Sequence, residues 1–359
     1  MNTDAFFING PFLPMFSRES RSPAVTKSGT LYYPGWLAYG CGFLEEKGHN
    51  CFLYDSIASG TDFEGTLKLI ADKAPLLLVV GTSTPSIEAD IKLALAAKSQ
   101  GVKFVCLVGT HASSTAREIL NEHPGIDFIA RREFDETLNE LVSMLKSGDN
   151  SYSEILALSY MQGGKAYHNE ARPYIADLDV LPFASKVYAK YLNINDYYYG
   201  HVKYPMVSIW TSRGCDAKCN YCVYPQTMFG EFRKRSPKNI AEEFVWIAQN
   251  LPHVKEVLID DDTFTMNPKH AREVAEELIL IGNKIPWTCE ARGTLDKKTL
   301  IAMKQAGCRL VVVGFESIDK DVLNKIKKGL LQTRVDKFVK AANDIDLKIH
   351  ACFMAGNPG

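Results

Sequence analysis

The sequence predicts an α/β fold in two parts: an N-terminal doubly wound parallel-sheet domain, followed by a partial βα barrel. Three observations support this prediction. Short apolar strands alternate with amphipathic helices through residues 4–148, and after Pro205 the alternation returns with a longer repeat. The chain has 359 residues, of which 46% are hydrophobic and 23% charged, as expected for a soluble globular protein of about two domains.

The charge balance excludes several classes of partner. Lys+Arg number 41 and Asp+Glu 42, so a net charge of −1 offers no bulk attraction to nucleic acid or to an anionic membrane. The longest apolar runs are far shorter than the ~20 residues of a membrane-spanning helix, so no transmembrane segment is predicted. No basic region precedes an apolar stretch at the N-terminus, so we predict a cytoplasmic protein without a secretory signal.

The first domain, residues 1–148, contains five predicted strands separated by five predicted helices. Apolar strands interleaved with helices favour a parallel sheet that is covered on both faces, with ligands binding beyond the carboxyl ends of the strands. The strands are predicted at 5–8, 51–54, 76–80, 104–108 and 128–130. The helices are predicted near 36–47, 63–73, 86–99, 114–121 and 135–146.

Small and polar residues occupy the loops at the predicted ligand-binding edge of this domain. Residues 81–84 read Gly-Thr-Ser-Thr, and residues 109–114 read Gly-Thr-His-Ala-Ser-Ser. These types also serve as ordinary turns and helix caps. No GxGxxG follows the first strand, which argues against dinucleotide binding. The first connection is long, residues 10–33, and a loop of that length is more often functional than idle.

Residues 149–204 are predicted to be a linker that contains a hairpin. Two strand-like stretches, 155–160 and 165–167, flank Gly163-Gly164, which is typical of a tight turn. A polar, proline-punctuated segment follows, and it includes Arg172-Pro173.

The second domain, residues 205–359, is predicted to be a βα barrel whose chemistry lies at the carboxyl ends of its strands. Ser236-Pro237 and Asn267-Pro268 are helix-start signals, and Gly282 and Gly307 are helix stops. Since five strands are visible and a full barrel has eight, the barrel is expected to be partial, and the natural chain is expected to continue beyond Gly359. The strands are predicted at 207–210, 256–259, 287–290, 310–313 and 349–353.

Three of the nine cysteines are clustered just after the first barrel strand. Cys215, Cys219 and Cys222 have the spacing CxxxCxxC, which allows three thiolates to reach one soft metal centre. A [4Fe–4S] cluster held by three cysteines would keep one iron open. A zinc site that takes a distant fourth ligand, or simple structural thiols, are the alternatives. The other six are predicted to be structural: Cys41, Cys51, Cys106, Cys289, Cys308 and Cys352.

The CxxxC-aromatic-xC motif at the end of the first strand of a βα barrel resembles the radical S-adenosylmethionine enzymes. The resemblance implies that Cys215, Cys219 and Cys222 hold a [4Fe–4S] cluster whose open iron binds S-adenosylmethionine. One electron would then cleave S-adenosylmethionine to methionine and a 5′-deoxyadenosyl radical. The aromatic residue of the motif, Tyr221, would lie against the adenine.

Further positions match a cobalamin-dependent branch of that family and imply S-adenosylmethionine contacts. Asp261 and Asp262 follow the second strand, Arg292 follows the third, and Glu316 and Ser317 follow the fourth. The acidic pair would lie near the methionine amino group, Arg292 could clamp a carboxylate, and Glu316 could accept hydrogen bonds from ribose hydroxyls. The alternatives are a polar, helix-capping loop for the aspartates and an ordinary surface or ion-pair role for Arg292.

The first half of the chain is similar to the cobalamin-binding domain of this branch, and the linker around Arg172-Pro173 resembles the branch's linker. Two departures stand out. The 10–33 loop lacks the DxHxxG segment that supplies an axial histidine, so any cobalamin should bind with its lower base displaced and without a His–cobalt bond. The family's Gly-Glu after the fifth strand reads Arg132-Glu133 here. The predicted cobalamin contacts are Thr82, Ser83, Thr84, Gly109, Thr110 and His111.

The resemblance implies a cobalamin-dependent radical S-adenosylmethionine enzyme, with C-methylation of an unactivated carbon as the expected reaction. Radical cyclisation or rearrangement of a tetrapyrrole, lipid or carbohydrate is the alternative within the class. A non-catalytic cobalamin or iron–sulfur sensor is the alternative from another class. The expected partners are a small-molecule or lipid substrate and an electron donor such as flavodoxin or ferredoxin.

Overall fold

The computed structural model describes residues 3–19, 23–223 and 230–357. The chain divides into two compact units, the first formed by Met1–Ile175 with Leu181–Gly200, and the second by Ala176–Val180 with His201–Gly359. The bounds of 148 and 204 given above stay predictions. No helix in the described ranges is both long and apolar enough to cross a membrane. Residues 20–22 of the predicted long loop and residues 358–359 lie outside the described residues.

The first unit is built on a seven-stranded sheet with the order β4-β1-β5-β6-β7-β8-β9. The first five strands of this order are parallel, and all five predicted strands are confirmed. Two short strands, β2 and β3, pair antiparallel within the 10–33 loop. The strands are β1 (Ala5–Asn9), β2 (Phe16–Ser17), β3 (Ala24–Val25), β4 (Cys51–Asp55), β5 (Leu77–Thr82), β6 (Phe104–Gly109), β7 (Phe128–Ala130), β8 (Leu158–Gln162) and β9 (Lys165–His168).

The central strands of this sheet read as continuous apolar runs because helices cover both of their faces. Every residue of β1 and β5 is buried. Phe6, Ile8, Leu78 and Val80 belong to one cluster of core residues, with side chains from the flanking helices. The chain order reverses between β1 and β5, and a crevice at such a reversal is the usual ligand-binding position in doubly wound sheets.

The helices of the first unit agree with the amphipathic stretches of the sequence, with two differences. Ala184–Tyr191, within the predicted linker, forms a helix that was not predicted from the sequence. The helix predicted at 114–121 is two helices, because the chain is interrupted at Thr115, whose φ of −118° is not helical. The helices are α1 (Gly35–Glu46), α2 (Phe63–Lys73), α3 (Ile87–Ser99), α4 (Thr110–Ser114), α5 (Ala116–Glu122), α6 (Asp135–Ser147) and α7 (Ala184–Tyr191).

The predicted hairpin forms, but it is part of the first sheet rather than of a free connector. β8 pairs antiparallel with both β7 and β9, so the hairpin adds two strands to the edge of the parallel sheet. Gly163 and Gly164 both have positive φ, as the two-residue turn requires. The sequence pattern could show the hairpin, but not which strand it would pair with.

The second unit contains a parallel five-stranded sheet with the strand order β10-β13-β14-β15-β16. The five predicted barrel strands are confirmed, and two short strands, β11 and β12, form a separate antiparallel pair. The strands are β10 (Met206–Ile209), β11 (Ser212–Arg213), β12 (Arg233–Lys234), β13 (Glu256–Ile259), β14 (Trp287–Ala291), β15 (Cys308–Glu316) and β16 (Lys348–Phe353). The helices are α8 (Pro237–Asn250), α9 (Pro268–Leu280), α10 (Lys297–Gln305), α11 (Lys320–Lys325) and α12 (Gln332–Asp344).

The helix-start signals of this unit act as predicted. The side chains of Ser236 and Asn267 accept hydrogen bonds from backbone amides in the first turns of α8 and α9, and each is followed by proline. These caps satisfy amides that would otherwise lack partners. As a result, α8 begins soon after β12, and α9 begins soon after β13. The short loop after β13 lies at the carboxyl end of that strand.

Candidate active site

The cysteine loop begins at the carboxyl end of β10 and is closed at its base by a short antiparallel pair. Ser212 pairs with Lys234, and Arg213 with Arg233, so the chain returns beside its starting point. Gly214, directly before Cys215, has a φ of +86°, and a Cβ there would lie 2.1 Å from the carbonyl oxygen of Glu231. Glycine is therefore required at this position, since any other residue would push the base of the loop open.

Asp261, which follows the neighbouring strand β13, binds the start of the cysteine loop. Its carboxylate is fully buried and accepts hydrogen bonds from the backbone amide and hydroxyl of Thr211, at 2.6 and 2.6 Å, and from the amide and hydroxyl of Ser212, at 3.1 and 2.7 Å. Burial raises the pKa of Asp261 to about 6, although these four donors act in the opposite direction. Asp261, predicted to contact S-adenosylmethionine, is here a positioning residue.

Asp262 lies closer to the cysteines than Asp261 does. Its Oδ2 accepts a hydrogen bond of 3.2 Å from the backbone amide of Gly214, and its side chain is half-buried. The next residue, Thr263, places its hydroxyl 3.8 Å from Sγ of Cys215. The acidic segment after β13 therefore contacts both the base of the cysteine loop and the first cysteine.

Cys215, Cys219 and Cys222 are all half-buried and lie on one loop. The backbone amide of Cys222 donates to the carbonyl of Cys219 at 3.3 Å, which folds the CxxC half into a turn. Among the described residues, no three His, Cys, Asp or Glu side chains are grouped so as to hold a single metal ion. A four-iron cube takes each thiolate at a different corner and does not need the sulfurs around one ion. Three soft thiol donors in a short loop fit such a cube.

Tyr221, between the last two cysteines, is joined to the end of β15. Its hydroxyl donates to Oε1 of Glu316 at 3.0 Å, and the ammonium of Lys328 donates to the same oxygen at 2.8 Å and to the Tyr221 hydroxyl at 3.1 Å. Burial and the adjacent Glu316 carboxylate raise the pKa of Tyr221. We call Tyr221, Glu316 and Lys328 the Tyr-Glu-Lys cluster. It links the cysteine loop to the fourth strand of the sheet.

The backbone around Glu316 is strained, and its surroundings are tightly packed. Glu316 has a φ of +67°, in the left-handed region that residues with a side chain rarely adopt. A Cβ at Gly314 would lie 2.4 Å from Oε1 of Glu316 and 3.0 Å from Nζ of Lys328. Residues held in such conformations cluster at functional sites, because the surrounding structure must enforce them.

The segment that carries Lys328 also contacts Arg292 and the cysteine loop. Nη2 of Arg292 donates to the carbonyl of Lys328 at 2.9 Å, and the side chain of Asn220 donates to the carbonyl of Lys325 at 2.9 Å. Arg292 is thus close to the Tyr-Glu-Lys cluster, as its sequence position suggests. Ser317 instead accepts a hydrogen bond from the amide of Asp319 at 3.0 Å, at the start of α11.

Sequence reasoning missed Lys328. It stands in a run of lysines just after α11, where a lysine is usually solvated, and nothing in the pattern distinguishes it from Lys325 or Lys327. The one signal is Gly329, whose positive φ of +67° turns the chain back. Only the packing shows that the ammonium group of Lys328 points inward, with its side chain 14% exposed.

At the carboxyl edge of the first unit's sheet, two of the predicted cobalamin contacts are already paired within the protein. The hydroxyl of Thr82 donates to the carbonyl of Val108 at 2.8 Å, and the hydroxyl of Ser83 lies 2.8 Å from that of Ser86. Both side chains are buried, so in this structure they shape the loop rather than face a ligand. The sequence could not separate such loop-shaping hydroxyls from exposed ones.

The remaining predicted contacts are accessible at this edge. Thr84 is exposed, and its hydroxyl lies 3.1 Å from Nδ1 of His111. Gly109 has a φ of +112°, and a Cβ there would lie 2.4 Å from the carbonyl oxygen of Thr82. Glycine therefore allows the ends of β5 and β6 to approach each other, while Thr110 and His111 remain half-exposed.

A buried ion pair fixes the start of the 10–33 loop. Nη2 of Arg18 donates to Asp90 at 2.7 Å, and Nη1 donates to the side chain of Asn9 at 2.9 Å. The adjacent Glu19 accepts the backbone amide of Trp36 at 2.6 Å, at the start of α1. The sequence marked this loop only by its length. The structure shows that Arg18 and Glu19 hold it against the carboxyl edge of the sheet.

Two family models match this chain. The model of the radical SAM superfamily matches residues 210–359, and the model of the B12 binding domain matches residues 21–142. The first match spans the cysteine loop and the Tyr-Glu-Lys cluster. The second spans the sheet edge with Thr84 and His111.

Two known proteins resemble the chain over most of its length. It is 30% identical over 332 residues to a protein of Pyrococcus horikoshii named uncharacterized methyltransferase PH0819, covering 92% of this chain and 71% of that protein. It is 25% identical over 334 residues to the anaerobic magnesium-protoporphyrin IX monomethyl ester cyclase of Cereibacter sphaeroides, covering 90% of this chain and 53% of the cyclase. The chain thus spans about half the length of that cyclase.

Among solved structures, the radical S-adenosylmethionine methyltransferase TsrM of Kitasatospora setae has a similar fold. The TM-score is 0.77 at 15% identity, over 99% of this chain and 70% of TsrM, in a structure with cobalamin and a [4Fe–4S] cluster bound. At this level of identity the likeness concerns the fold alone.

A doubly wound domain joined to a parallel βα sheet with a three-cysteine loop defines a class of cofactor-dependent α/β enzymes. The chain belongs to the radical SAM superfamily and carries a B12 binding domain. The predicted cofactors, a [4Fe–4S] cluster, S-adenosylmethionine and cobalamin, are those of this class.

Proposed function

We propose that this enzyme methylates an unactivated carbon of a small-molecule substrate, with S-adenosylmethionine and cobalamin as cofactors. The observation that carries the proposal is the Tyr-Glu-Lys cluster, which joins the cysteine loop at the end of β10 to the end of β15. The three cysteines proposed as iron–sulfur ligands and the strained residue Glu316 are thereby brought into one site. This site lies at the carboxyl ends of the strands, where βα enzymes carry their chemistry. The name of the Pyrococcus relative, a methyltransferase, supports the same reaction.

The chain's own residues supply binding and orientation. When bound, the iron–sulfur cluster and cobalamin supply the electron and the methyl group. Cys215, Cys219 and Cys222 would hold the iron–sulfur cluster, and the ring of Tyr221 would contact the adenine of S-adenosylmethionine. Glu316, which pairs with the ammonium of Lys328, would accept hydrogen bonds from the ribose hydroxyls.

Two further residues bind the methionine end of S-adenosylmethionine. Nη2 of Arg292 donates to the carbonyl of Lys328, which places the guanidinium close to the Tyr-Glu-Lys cluster. The guanidinium clamps the carboxylate of S-adenosylmethionine. The carboxylate of Asp262, beside the base of the cysteine loop, accepts from the amino group. Ser317 stays a predicted contact, and Asp261 positions the loop rather than touching the cofactor.

The edge of the first unit's sheet supplies the cobalamin site. We assign the contacts to Thr84, Gly109, Thr110 and His111, because these residues are accessible while Thr82 and Ser83 are buried and paired. The hydrogen bond between Thr84 and His111 holds the loops after β5 and β6 together. Thr82 and Ser83 then give those loops their shape.

A second candidate reaction is radical ring formation without methyl transfer. The relative from Cereibacter sphaeroides, named a cyclase, favours it. The residues described here would serve both reactions, since both begin with cleavage of S-adenosylmethionine at the same cluster. Only the product distinguishes them.

The test is anaerobic reconstitution of the chain with iron, sulfide and cobalamin, followed by turnover with S-adenosylmethionine that carries a trideuterated methyl group. Mass spectrometry of candidate substrates is expected to show products heavier by one CD₃ group. Products that have lost hydrogen and gained no label would favour the cyclase. A cobalamin-bound protein that forms no 5′-deoxyadenosine with any reductant would instead support a sensor.

The electron donor and the cellular location stay proposals. We expect a flavodoxin or ferredoxin to reduce the cluster and the enzyme to act in the cytoplasm. Replacing a chemical reductant by a purified flavodoxin system in the same assay tests the first expectation.

A further inference from the structure

Arg132 adopts a backbone conformation that disfavours every residue with a side chain except Asn and Asp. It follows the end of β7 and has a φ of +60°. Glycine would adopt this φ without strain, whereas arginine adopts it only where the surrounding structure enforces it. Residues held in such conformations are found often at ligand-binding sites.

The turn that displays Arg132 is fixed on both sides. The backbone amide of Arg132 donates to the hydroxyl of Ser113 at 2.8 Å, which ties it to the loop after β6. The next residue, Glu133, is buried, and its carboxylate accepts the amide of Ile175 at 3.0 Å. The Arg132 side chain therefore starts from a rigid turn at the same sheet edge as Thr110 and His111.

The guanidinium of Arg132 lacks an anionic partner within the described part of the chain. Its Nη1 donates a hydrogen bond of 3.1 Å to the hydroxyl of Tyr174, which is a neutral acceptor. The neighbouring Arg131 adds a second positive charge, and its own guanidinium donates to the carbonyl of Asn169. A half-buried arginine to which the described residues supply a single neutral acceptor is suited to bind an anion.

We propose that Arg132 binds the phosphodiester of the nucleotide loop of cobalamin, which carries that molecule's one anionic peripheral group. The inference rests on the proposed cobalamin site and adds a specificity-determining residue to it. Thr84, Thr110 and His111 offer hydroxyl and imidazole groups suited to neutral amides, whereas Arg132 offers a charge. Arg132 therefore selects corrinoids that carry the nucleotide loop over those that lack it.

The test compares two corrinoids and three variants by equilibrium dialysis at physiological salt. Hydroxocobalamin contains the phosphodiester and cobinamide does not. The variants Arg132→Gln and Arg132→Gly should bind hydroxocobalamin about tenfold or more weakly than the parent protein does, as expected for loss of a charged hydrogen-bond pair. Both should bind cobinamide as the parent does. Arg117→Gln, an exposed arginine of the same unit, is the matched control and should change neither affinity.

Thermal unfolding separates binding from folding. Arg132→Gly relieves the positive φ and should melt at the same temperature as the parent or higher, so weaker binding in this variant cannot result from unfolding. Equal affinities of parent and variants for hydroxocobalamin, or equal losses for both corrinoids, would overturn the inference. A parent protein that binds neither corrinoid would instead overturn the proposed cobalamin site.

Discussion

Lys328 shows how a single side chain can organise the proposed S-adenosylmethionine site. Its ammonium neutralises Glu316 and contacts the Tyr221 hydroxyl, and both the Lys328 and Glu316 side chains are largely buried. Lys328→Met leaves the Glu316 carboxylate without its cation and without one of its hydrogen-bond donors, which frees the side chain to move. We expect S-adenosylmethionine to bind about tenfold more weakly, as measured by equilibrium dialysis without reductant.

Two further variants show whether charge accounts for this effect. Lys328→Arg keeps the charge and should recover most of the affinity. Lys337→Met, an exposed lysine on α12, should bind as the parent does. Equal affinity of Lys328→Met and the parent would show that the Tyr-Glu-Lys cluster plays no part in binding.

His270 predicts a loss of stability in acid. The side chain is fully buried, and neither ring nitrogen has a hydrogen-bond partner among the described residues. Burial, helped by the charge of Lys234, lowers its pKa to about 4, although Glu273 and Asp179 act in the opposite direction. Between pH 6.5 and 4 the unfolded chain binds a proton that the folded chain does not, so the free energy of unfolding falls as the pH is lowered.

The measurement for His270 is denaturant unfolding of the parent and of His270→Phe at several pH values. The parent should lose about 2 kcal/mol relative to the variant between pH 7 and 5, at 1.36 kcal/mol per pH unit below 6.5. Asp261, whose pKa is raised to about 6, titrates with the opposite sign, but it is present in both proteins and cancels. The exposed His253→Phe is the control. A pH-independent difference for His270→Phe would contradict the assignment.

At the scale of elements, the turn from β10 into the cysteine loop depends on a close backbone approach. Gly214 and Gly282 both have positive φ, but a Cβ at Gly214 would meet the Glu231 carbonyl at 2.1 Å, whereas a Cβ at Gly282 would meet nothing within 4 Å. Gly282→Ala should therefore cost about 1–2 kcal/mol, from the left-handed backbone alone. Gly214→Ala should in addition displace the loop.

The two glycine variants form a matched pair. After anaerobic reconstitution, Gly214→Ala is expected to retain less than half of the parent's iron per chain, and Gly282→Ala the parent's full content. Full iron content in Gly214→Ala would mean that the cysteine loop does not depend on the β11–β12 closure.

The elements also show what the sequence could and could not predict. Periodicity and capping signals located the parallel strands of both sheets, because each strand is a short apolar run and helices such as α8 and α9 begin at a capping side chain. They could not show that β8 joins β7, because pairing between strands is a tertiary choice. The β11–β12 pair was missed because two-residue strands have no periodicity.

The residues of the candidate site likewise include some that could be predicted from the sequence and some that could not. The cysteine spacing and Tyr221 are local in sequence and could be read directly. Lys328 and Arg18 could not, because their roles depend on partners brought from elsewhere in the chain: Lys328 from the cysteine loop, and Arg18 from α3. Asp261 was assigned to the cofactor because sequence places it at a strand end but does not show which way its carboxylate points.

At the scale of the whole molecule, we propose that the chain starts radical chemistry at a [4Fe–4S] cluster held by Cys215, Cys219 and Cys222. Replacing any one of them by Ala removes an anionic ligand from the cluster. Cys289 and Cys308 are buried in the second unit's sheet, away from the loop in sequence, and Cys289→Ala or Cys308→Ala should cost about 1 kcal/mol of packing.

The most direct test is the amount of 5′-deoxyadenosine formed from S-adenosylmethionine under dithionite in an anaerobic chamber, together with the iron content of each variant. We expect Ala variants of Cys215, Cys219 and Cys222 to lose 5′-deoxyadenosine formation, while Cys289→Ala and Cys308→Ala retain it. Loop variants that keep a full [4Fe–4S] cluster and form 5′-deoxyadenosine at the parent rate would contradict the account.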